Sequence, residues 1–250
     1  MHKEIEVIAM VYKSTKFAEF IIDQLKKYCK SDTIDCSFTI LCNDATDRVI
    51  KFVKESGVNY KIYKDKNPND YYLNRVYRAW NYGGLNCEKE NLIFVNSDMA
   101  FSEDWIDNLF KHHDGKNIPC SRLIESGKLP VGDGIPNNGW AKAYNFGTHP
   151  DNFYNSKWEE SSKISKIDNI GEKGLYMPCL FNTAKFKETN GYPEGNLYEG
   201  GVGEYNTRFI KSGDDYYFHD ILENQFNMKH ITVFDSLVYH MQEGEKDELE

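Results

Sequence analysis

The first hundred residues of this chain alternate short apolar runs with stretches of helical periodicity. The apolar runs cover residues 7–11, 37–41, 60–63 and 91–95. Apolar residues at helical spacing follow the first run at Phe17, Phe20, Ile21 and Leu25 and precede the last run at Tyr72, Val76, Tyr77 and Trp80, with another helix predicted over 46–55. This alternation predicts an α/β fold with a mostly parallel central sheet and helices on both faces. Such sheets bind ligands beyond the carboxyl ends of their strands.

The second half of the chain is patterned less regularly. A helix is predicted from about Glu103 to His112, with Ser102 as its N-cap because a hydroxyl can accept hydrogen bonds from free N–H groups. Residues 114–174 are rich in Gly, Asn, Ser, Pro and aromatic residues, which predicts long active-site loops. Later elements are predicted as a strand over 176–181, a helix over 183–189 that stops at Gly191, a helix carrying Tyr217 to Phe226, and a last strand over 231–234. No linker divides the chain, so one domain over residues 1–250 is expected.

Composition narrows the classes of function. Lys and Arg total 30 against 39 Asp and Glu, and a net charge of −9 argues against nucleic acid as a partner. No apolar run reaches membrane-spanning length, and the N-terminus lacks the flanks of a secretory signal. The six cysteines have no CxxC pair, which favours reduced thiols and a cytoplasmic protein: Cys29, Cys36, Cys42, Cys87, Cys120 and Cys179.

A polar turn follows the last of the four apolar runs. Asn96, Ser97 and Asp98 come directly after this strand, which places a carboxylate at its carboxyl end. A hard divalent cation that bridges a diphosphate takes oxygen ligands of this kind. An Asp after a strand is also a common turn former, so the turn by itself leaves both interpretations open.

Five segments of the chain form an ordered series: VIAMVYKSTKFAEFIIDQL, ILCNDATD, LNRVYRAWNYGG, FVNSDM and FNTAKFKETNGYPEG. In this order they resemble the family-2 glycosyltransferases of the GT-A fold over nearly the whole chain. The second resembles the turn that contacts the nucleotide base, the third a helix with an Asn-x-Gly ending, and the fourth the Asp-x-Asp metal turn. The fifth resembles the segment before the acceptor site. An acidic pair in GDDYYFHDIL and a final His in FDSLVYH complete the resemblance.

The resemblance implies roles for individual residues. Asp98 and His240 become metal ligands, and Asp214 and Asp215 supply the general base, with Asp215 favoured as the second acid of the pair. Residues implied in binding the nucleotide sugar are Asn43, Asp44, Arg75, Asn81 and Ser97. Two of these assignments have plain structural alternatives, because an acidic pair also suits a helix N-terminus and one His near a chain end can be an ordinary side chain.

The chain departs from the family pattern at two positions. Asn96 stands where the family often has the first Asp of its metal turn, and Trp80 stands where many members have an Arg that contacts the donor phosphate. Arg75 or Arg78 could replace that Arg. Five aromatic residues in the long loops fit either a sugar-stacking platform or anchors for the loops: Tyr144, Phe146, Phe153, Tyr154 and Trp158.

The expected function is therefore transfer of a sugar from a nucleotide-diphosphate sugar to a hydroxyl of a glycan or other small acceptor. The expected mechanism is inverting and depends on Mn²⁺ or Mg²⁺, with about residues 1–100 binding the nucleotide sugar and about residues 101–250 the acceptor. One alternative is a carbohydrate- or nucleotide-binding protein of this fold that has lost turnover, which Asn96 keeps open. A nucleotidyltransferase is less favoured, because Tyr12 to Phe17 contains no glycine to cradle a phosphate.

Overall fold

The computed structural model describes residues 3–65, 72–126, 141–194, 196–199, 207–211 and 213–242. Its strands are β1 (Lys3–Val11), β2 (Ile34–Asn43), β3 (Tyr60–Tyr63), β4 (Asn91–Asn96), β5 (Met99–Phe101), β6 (Asn117–Glu125), β7 (Ala141–Ala143), β8 (Ile170–Glu172), β9 (Leu180–Asn182), β10 (Asn196–Glu199), β11 (Thr207–Lys211) and β12 (Lys229–His240). Its helices are α1 (Thr15–Tyr28), α2 (Asp47–Glu55), α3 (Tyr72–Leu85), α4 (Trp105–Phe110), α5 (Asn155–Ile164), α6 (Thr183–Glu188) and α7 (Gly213–Asp215), and α7 continues as a π-helix over Tyr216–Glu223.

The first sheet has the strand order β3-β2-β1-β4-β9. Its first four strands are parallel, and β9 is antiparallel to β4. Alternate residues of β1 face opposite layers of helices. Val7 and Ala9 pack in the cluster formed with α1, α2 and α4, whereas Ile8 packs in the cluster formed with α3, α6 and the π-helix. The predicted α/β class, with a mostly parallel sheet between helices, is confirmed.

The first two helices begin where the sequence provides caps. Ser14 Oγ accepts a hydrogen bond from the N–H of Phe17, and Thr46 Oγ1 accepts one from the N–H of Val49. Both bonds satisfy N–H groups that a helix leaves open at its start. The longest described helices, α1 and α3, have 14 residues each, too few to cross a lipid bilayer.

A second sheet has the order β5-β12-β6-β7, and β8 also pairs with β12. Three of these strands and helix α5 lie in residues 114–174, so the prediction of long loops there is wrong for much of that segment. The sequence of β6 did not predict a strand because polar residues, which are buried in the structure, interrupt its apolar pattern. Ser121 bonds to Ser236 Oγ at 2.8 Å, and the Arg122 guanidinium lies 5.0 Å from the centre of the Phe234 ring. These partners on β12 let polar side chains occupy a buried strand.

Three element boundaries also differ from the sequence prediction. Ser102 caps no helix: its N–H donates to the carbonyl of Leu237 at 3.0 Å, and its hydroxyl accepts from the Leu237 N–H at 3.2 Å. Helix α4 begins instead at Trp105, after Asp104 in the left-handed region. The predicted strand over 176–181 is reduced to β9, and the last strand is three times longer than predicted, reaching His240. Gly191, with φ of 70°, follows α6 as predicted.

The packing of α3 on the first sheet depends on Gly84. A Cβ at this position would lie 2.5 Å from Phe186 and 2.8 Å from Phe94, whereas a Cβ on the neighbouring Gly83 would lie no closer than 3.1 Å to any atom, the nearest being Ile8 Cγ2. We predict that Gly84→Ala lowers the free energy of unfolding by up to about 2 kcal/mol, because an overpacking cost of about 1–3 kcal/mol outweighs a gain of about 1 kcal/mol in helix propensity. Urea denaturation measures the change. Gly83→Ala is the matched control, and equal or increased stability in both variants would contradict the close packing.

Candidate active site

Asp98 lies in the turn between β4 and β5, at the carboxyl end of β4. The pairing of β5 with β12 aligns Met99 with His240, and the Met241 N–H donates to the Asp98 carbonyl at 3.1 Å. Because of this register, the buried Asp98 Oδ2 lies 3.3 Å from His240 Nε2. The structure thus brings together the two residues that the sequence implies as metal ligands.

Glu125 joins them from the end of β6. Strand β6 is parallel to β12 and pairs Glu125 with His240, and Glu125 Oε1 lies 3.1 Å from His240 Nδ1. The imidazole therefore lies between two buried carboxylates. Sequence reasoning missed Glu125 because it fell in the segment interpreted as loops. The available signal was the apolar pair Leu123 and Ile124 directly before this acid.

The charges of these groups are strongly coupled. Burial opposes protonation of His240, but the carboxylates of Asp98 and Glu125 attract the proton and accept hydrogen bonds, and together they raise the pKa of the imidazole to about 10. One imidazolium neutralises only one of two carboxylates. The group as a whole therefore attracts positive charge.

Asp98 and the Nε2 of His240 offer two ligands to a hard divalent cation, and Glu125 lies behind the imidazole at Nδ1. The buried Oε2 of Glu125 and the buried Oδ1 of Asn96 have no hydrogen-bond partner within the part of the chain that the structure describes. Buried oxygens are normally satisfied, so these two are suited to a ligand. Carboxylate and amide oxygens with one imidazole nitrogen are ligands that Mn²⁺ and Mg²⁺ accept. Asn96, which departs from the family pattern, still offers an oxygen.

The acidic pair opens α7 and its π-helical continuation. Tyr176 Oη donates a hydrogen bond to Asp215 Oδ1, and the Asp215 N–H donates to Asp214 Oδ1 at 2.9 Å. Burial and this bond to a carboxylate raise the pKa of Tyr176 well above its ordinary value, so Tyr176 stays a hydrogen-bond donor. Gly213 allows the helix to start here, because a Cβ would lie 2.2 Å from the Pro193 carbonyl oxygen.

Asn43 and Asp44 lie at the carboxyl end of β2. Asn43 Nδ2 lies 3.2 Å from Met10 Sδ, and its buried Oδ1 has no hydrogen-bond partner among the described residues. Asp44 has a left-handed backbone with φ of 47°, and its Oδ1 accepts from the Asp65 N–H at 2.9 Å. Asp44 thus fixes the chain after β3, as a turn residue does. Asn43 has the oxygen better suited to a nucleobase.

The remaining residues that the resemblance implies in binding the nucleotide sugar differ in what they contact. Arg75 is half-buried on α3, and Ser97 is buried beside Asp98. Arg78 is engaged by Asp65 at 2.7 Å and by Glu194 at 2.5 Å. Asn81, which the resemblance implies in binding the nucleotide sugar, contacts the backbone of Tyr192. Its Nδ2 donates to the Tyr192 carbonyl and its Oδ1 accepts from the Tyr192 N–H, both at 2.7 Å. These two hydrogen bonds connect the turn after α6 to α3.

The aromatic residues of the second half divide into anchors and exposed rings. Phe146 and Trp158 are buried, and the Trp158 indole donates to the Phe101 carbonyl at 3.2 Å. Phe153 is half-buried and stacks on Tyr239 at 5.7 Å. These three rings anchor the segment to the core. Tyr144 and Tyr154, which are 53% and 58% exposed, are the two rings open to a sugar face.

A cleft on the first sheet contains none of the candidate site residues. It measures about 630 Å³ and is lined by the amino-terminal halves of β1 and β2, including Glu4, Glu6 and Ser37. Ligands of α/β sheets bind at the opposite, carboxyl ends of the strands. The chemistry of Asp98 and its neighbours, rather than cleft volume, marks the candidate site.

Solved structures share this architecture. TarS from S. aureus (residues 1–349) aligns with a TM-score of 0.55 and 15% identity, covering 95% of this chain and 60% of TarS. GalNAc-T7 with UDP, GalNAc and Mn²⁺ aligns at 0.54 and 11%, covering 94% of this chain and 42% of that one. The mannosyltransferase PcManGT from Pyrobaculum calidifontis, with GDP-Man and Mn²⁺, aligns at 0.55 and 13%, covering 95% and 56%.

This chain has the GT-A fold. At these identities the likeness concerns the fold, and the chain spans about half of the length of the structures it matches. No family model matches the sequence, and no curated protein matches it either. The GT-A fold was implied by the ordered motifs, and the structural likeness confirms it.

The contacts of Asn81 generate a prediction that separates folding from donor binding. We predict that Asn81→Ala lowers the free energy of unfolding by about 1–3 kcal/mol, because the buried backbone groups of Tyr192 lose both partners. Asn86→Ala is the control, since Asn86 is exposed just beyond the same helix and its amide donates to the Tyr82 carbonyl. Chemical denaturation checks stability, and calorimetry checks donor affinity. If Asn81→Ala loses affinity for the nucleotide sugar while its stability is unchanged, Asn81 acts in donor binding and not in holding the Tyr192 backbone.

Proposed function

We propose that this protein transfers a sugar from a nucleotide-diphosphate sugar to a hydroxyl of a glycan or other small acceptor, with inversion and with Mn²⁺ or Mg²⁺. The observation that carries the proposal is the buried group of Asp98, Glu125 and His240 at the carboxyl edge of the sheets in a chain with the GT-A fold. This position and donor set suit a cation bound to a diphosphate.

The first part of the proposal concerns the leaving group. Asp98 and His240 Nε2, with the amide oxygen of Asn96, would hold the divalent cation, and Glu125 would accept the Nδ1–H of His240 and orient the imidazole. When bound, the cation stabilises the negative charge that develops on the departing diphosphate. Asn43 at the end of β2 and Arg75 on α3 are proposed to bind the nucleotide and its phosphates, within the half formed by about residues 1–100.

The second part concerns the acceptor. In an inverting transfer the acceptor oxygen forms a bond to the anomeric carbon while the bond to the diphosphate breaks, and a base removes the hydroxyl proton. We assign Asp215 as the base that accepts this proton. Its support is the hydrogen bond from Tyr176, which holds the carboxylate in place at the start of α7. Tyr144 and Tyr154 offer exposed ring faces within the proposed acceptor half, about residues 101–250.

A binding protein without turnover is the second candidate. Asn96 favours it, because one carboxylate of the metal turn is replaced by a neutral amide. Glu125 weighs against it, since it restores a second carboxylate beside His240. Hydrolysis or transfer of a donor sugar in the presence of Mn²⁺ distinguishes the two.

The metal prediction is tested with donor nucleotides. We expect Mn²⁺ to raise the melting temperature with one or more of UDP-, GDP-, CMP- and dTDP-sugars, since a ligand of the native state stabilises it by mass action. Asp98→Asn and Glu125→Gln should each weaken donor binding by at least the roughly 10–100-fold that loss of an outer metal partner costs. Glu103→Gln, at an exposed residue near β5, is the control. Equal donor affinity in EDTA and in Mn²⁺ would remove the cation from the mechanism.

The base prediction is tested by the isosteric variant. Asp215→Asn keeps the shape of the side chain and removes its basicity, so transfer should fall by about two to four orders of magnitude while donor affinity remains. Asp214→Asn is the matched control, because Asp214 neighbours Asp215 on the same helix. Rates are measured by nucleotide release with acceptor present. If Asp214→Asn is the inactive variant, the base is the first acid; if both variants transfer at the parent rate, an acid-pair base is excluded.

A further inference from the structure

A second group of metal-binding side chains lies in the interior, apart from the carboxylates of the candidate active site. Cys120 belongs to β6, Cys179 immediately precedes β9, and His230 belongs to β12. All three are buried, and their ligand atoms lie within 4.8 Å of one another. None of them is used by the proposed transfer reaction.

The three side chains converge on the carbonyl oxygen of Leu175. This oxygen lies 2.7 Å from Cys120 Sγ, 3.4 Å from Cys179 Sγ and 3.1 Å from His230 Nε2. A carbonyl oxygen has two lone pairs, so it cannot fully satisfy two thiols and an imidazole N–H at once. The thiols have weaker alternative acceptors in the Ser121 carbonyl, 3.5 Å from Cys120 Sγ, and in His230 Nε2, 3.7 Å from Cys179 Sγ, but all three side chains still gather around one oxygen.

The spacing agrees with a tetrahedral zinc site. Zinc bonds of about 2.3 Å to sulfur and about 2.0–2.1 Å to nitrogen or oxygen place neighbouring ligands about 3.3–3.8 Å apart. Cys179 Sγ lies 3.7 Å from His230 Nε2, and the Leu175 oxygen lies at 3.4 Å and 3.1 Å from these two atoms. The contact of 2.7 Å between Cys120 Sγ and the Leu175 oxygen must lengthen when the ion binds.

We propose that Cys120, Cys179 and His230 bind a structural zinc ion, with the Leu175 carbonyl oxygen at the fourth position. Two thiolates balance the charge of the ion, so the filled site is neutral and suits a buried location. Soft thiolate ligands select zinc over the Mn²⁺ or Mg²⁺ that the carboxylate site favours. The two sites therefore take different metals.

The backbone at Gly174 lies close to this group of side chains. A Cβ on Gly174 would lie 2.7 Å from Thr232 Oγ1 and 3.0 Å from His230 Nε2. Any larger residue would therefore push this segment away from His230. Gly174 thus lets the backbone deliver the Leu175 carbonyl to the three side chains.

The zinc site would connect both sheets with the residue that holds the proposed base. Cys120 and His230 belong to the second sheet, whereas Cys179 leads into β9 of the first. Leu175 precedes Tyr176, whose ring stacks on His230 at 6.1 Å and whose hydroxyl bonds Asp215. This link to Asp215 rests on the proposed function. The metal site itself does not.

A disulfide is the chemical rival. Cys120 and Cys179 face each other across an antiparallel bridge, and the Ser121 N–H donates to the Pro178 carbonyl beside it. Such close pairs can be joined by oxidation. Both thiols are free in this structure, and a disulfide would leave His230 without a ligand role.

Metal analysis of the full chain, purified without added metal or chelator, tests the proposal. We expect one zinc per chain that persists through EDTA dialysis sufficient to remove Mn²⁺, and that is lost in Cys120→Ser and Cys179→Ser. Cys87→Ser is the matched control, because Cys87 is equally buried and lies outside the group. Exchange with Co²⁺ should give a thiolate charge-transfer band and the strong visible bands of tetrahedral cobalt, both absent from the two variants.

Two results would overturn the proposal. One is parent protein that contains no zinc and gives no tetrahedral cobalt spectrum. The other is a Cys120–Cys179 disulfide in peptides mapped without reduction. If the serine variants fail to fold, the zinc content and cobalt spectrum of the parent protein still decide. These measurements need no nucleotide sugar, so their failure leaves the transferase proposal standing, and failure of the transfer assay leaves the zinc site standing.

Discussion

The pairing of β12 with two partners is the constraint on which the candidate site depends. β12 runs antiparallel to β5 and parallel to β6, and its last residue, His240, aligns with Met99 on one side and Glu125 on the other. Since a slip of one residue would turn every side chain to the opposite face, this register fixes which groups meet. Asp98 and Glu125 contact the same imidazole because of it.

A second constraint connects the acidic pair to the first sheet. Asn81 on α3 holds the backbone of Tyr192, and the Tyr192 ring stacks on Tyr77 at 5.7 Å and lies 4.6 Å from the ring of Tyr217. Helix α7 starts against this aromatic layer at Gly213. An Asn that ends a helix motif in the family resemblance thus supports the acidic pair from a distance.

The two groups of side chains proposed to bind metals differ in chemistry. The first combines two carboxylates with His240, which suits a hard cation that exchanges with substrate. The second combines two thiols with His230, which suits a tightly held soft or borderline cation. Both use histidines of β12. Strand β12 therefore links the proposed transfer site at its carboxyl end to the proposed zinc site at its start.

Sequence by itself determined the features that depend on neighbours along the chain: the alternation of strands and helices, Asp98 at the end of β4 and the acidic pair at a helix start. Tertiary structure alone decided the partners. Glu125 and His240 are separated by 115 positions, and Cys120, Cys179 and His230 follow no ligand spacing in sequence. Local periodicity carries no information on such pairs, because strand register and buried polar partners, as at Arg122 on β6, are set by long-range packing.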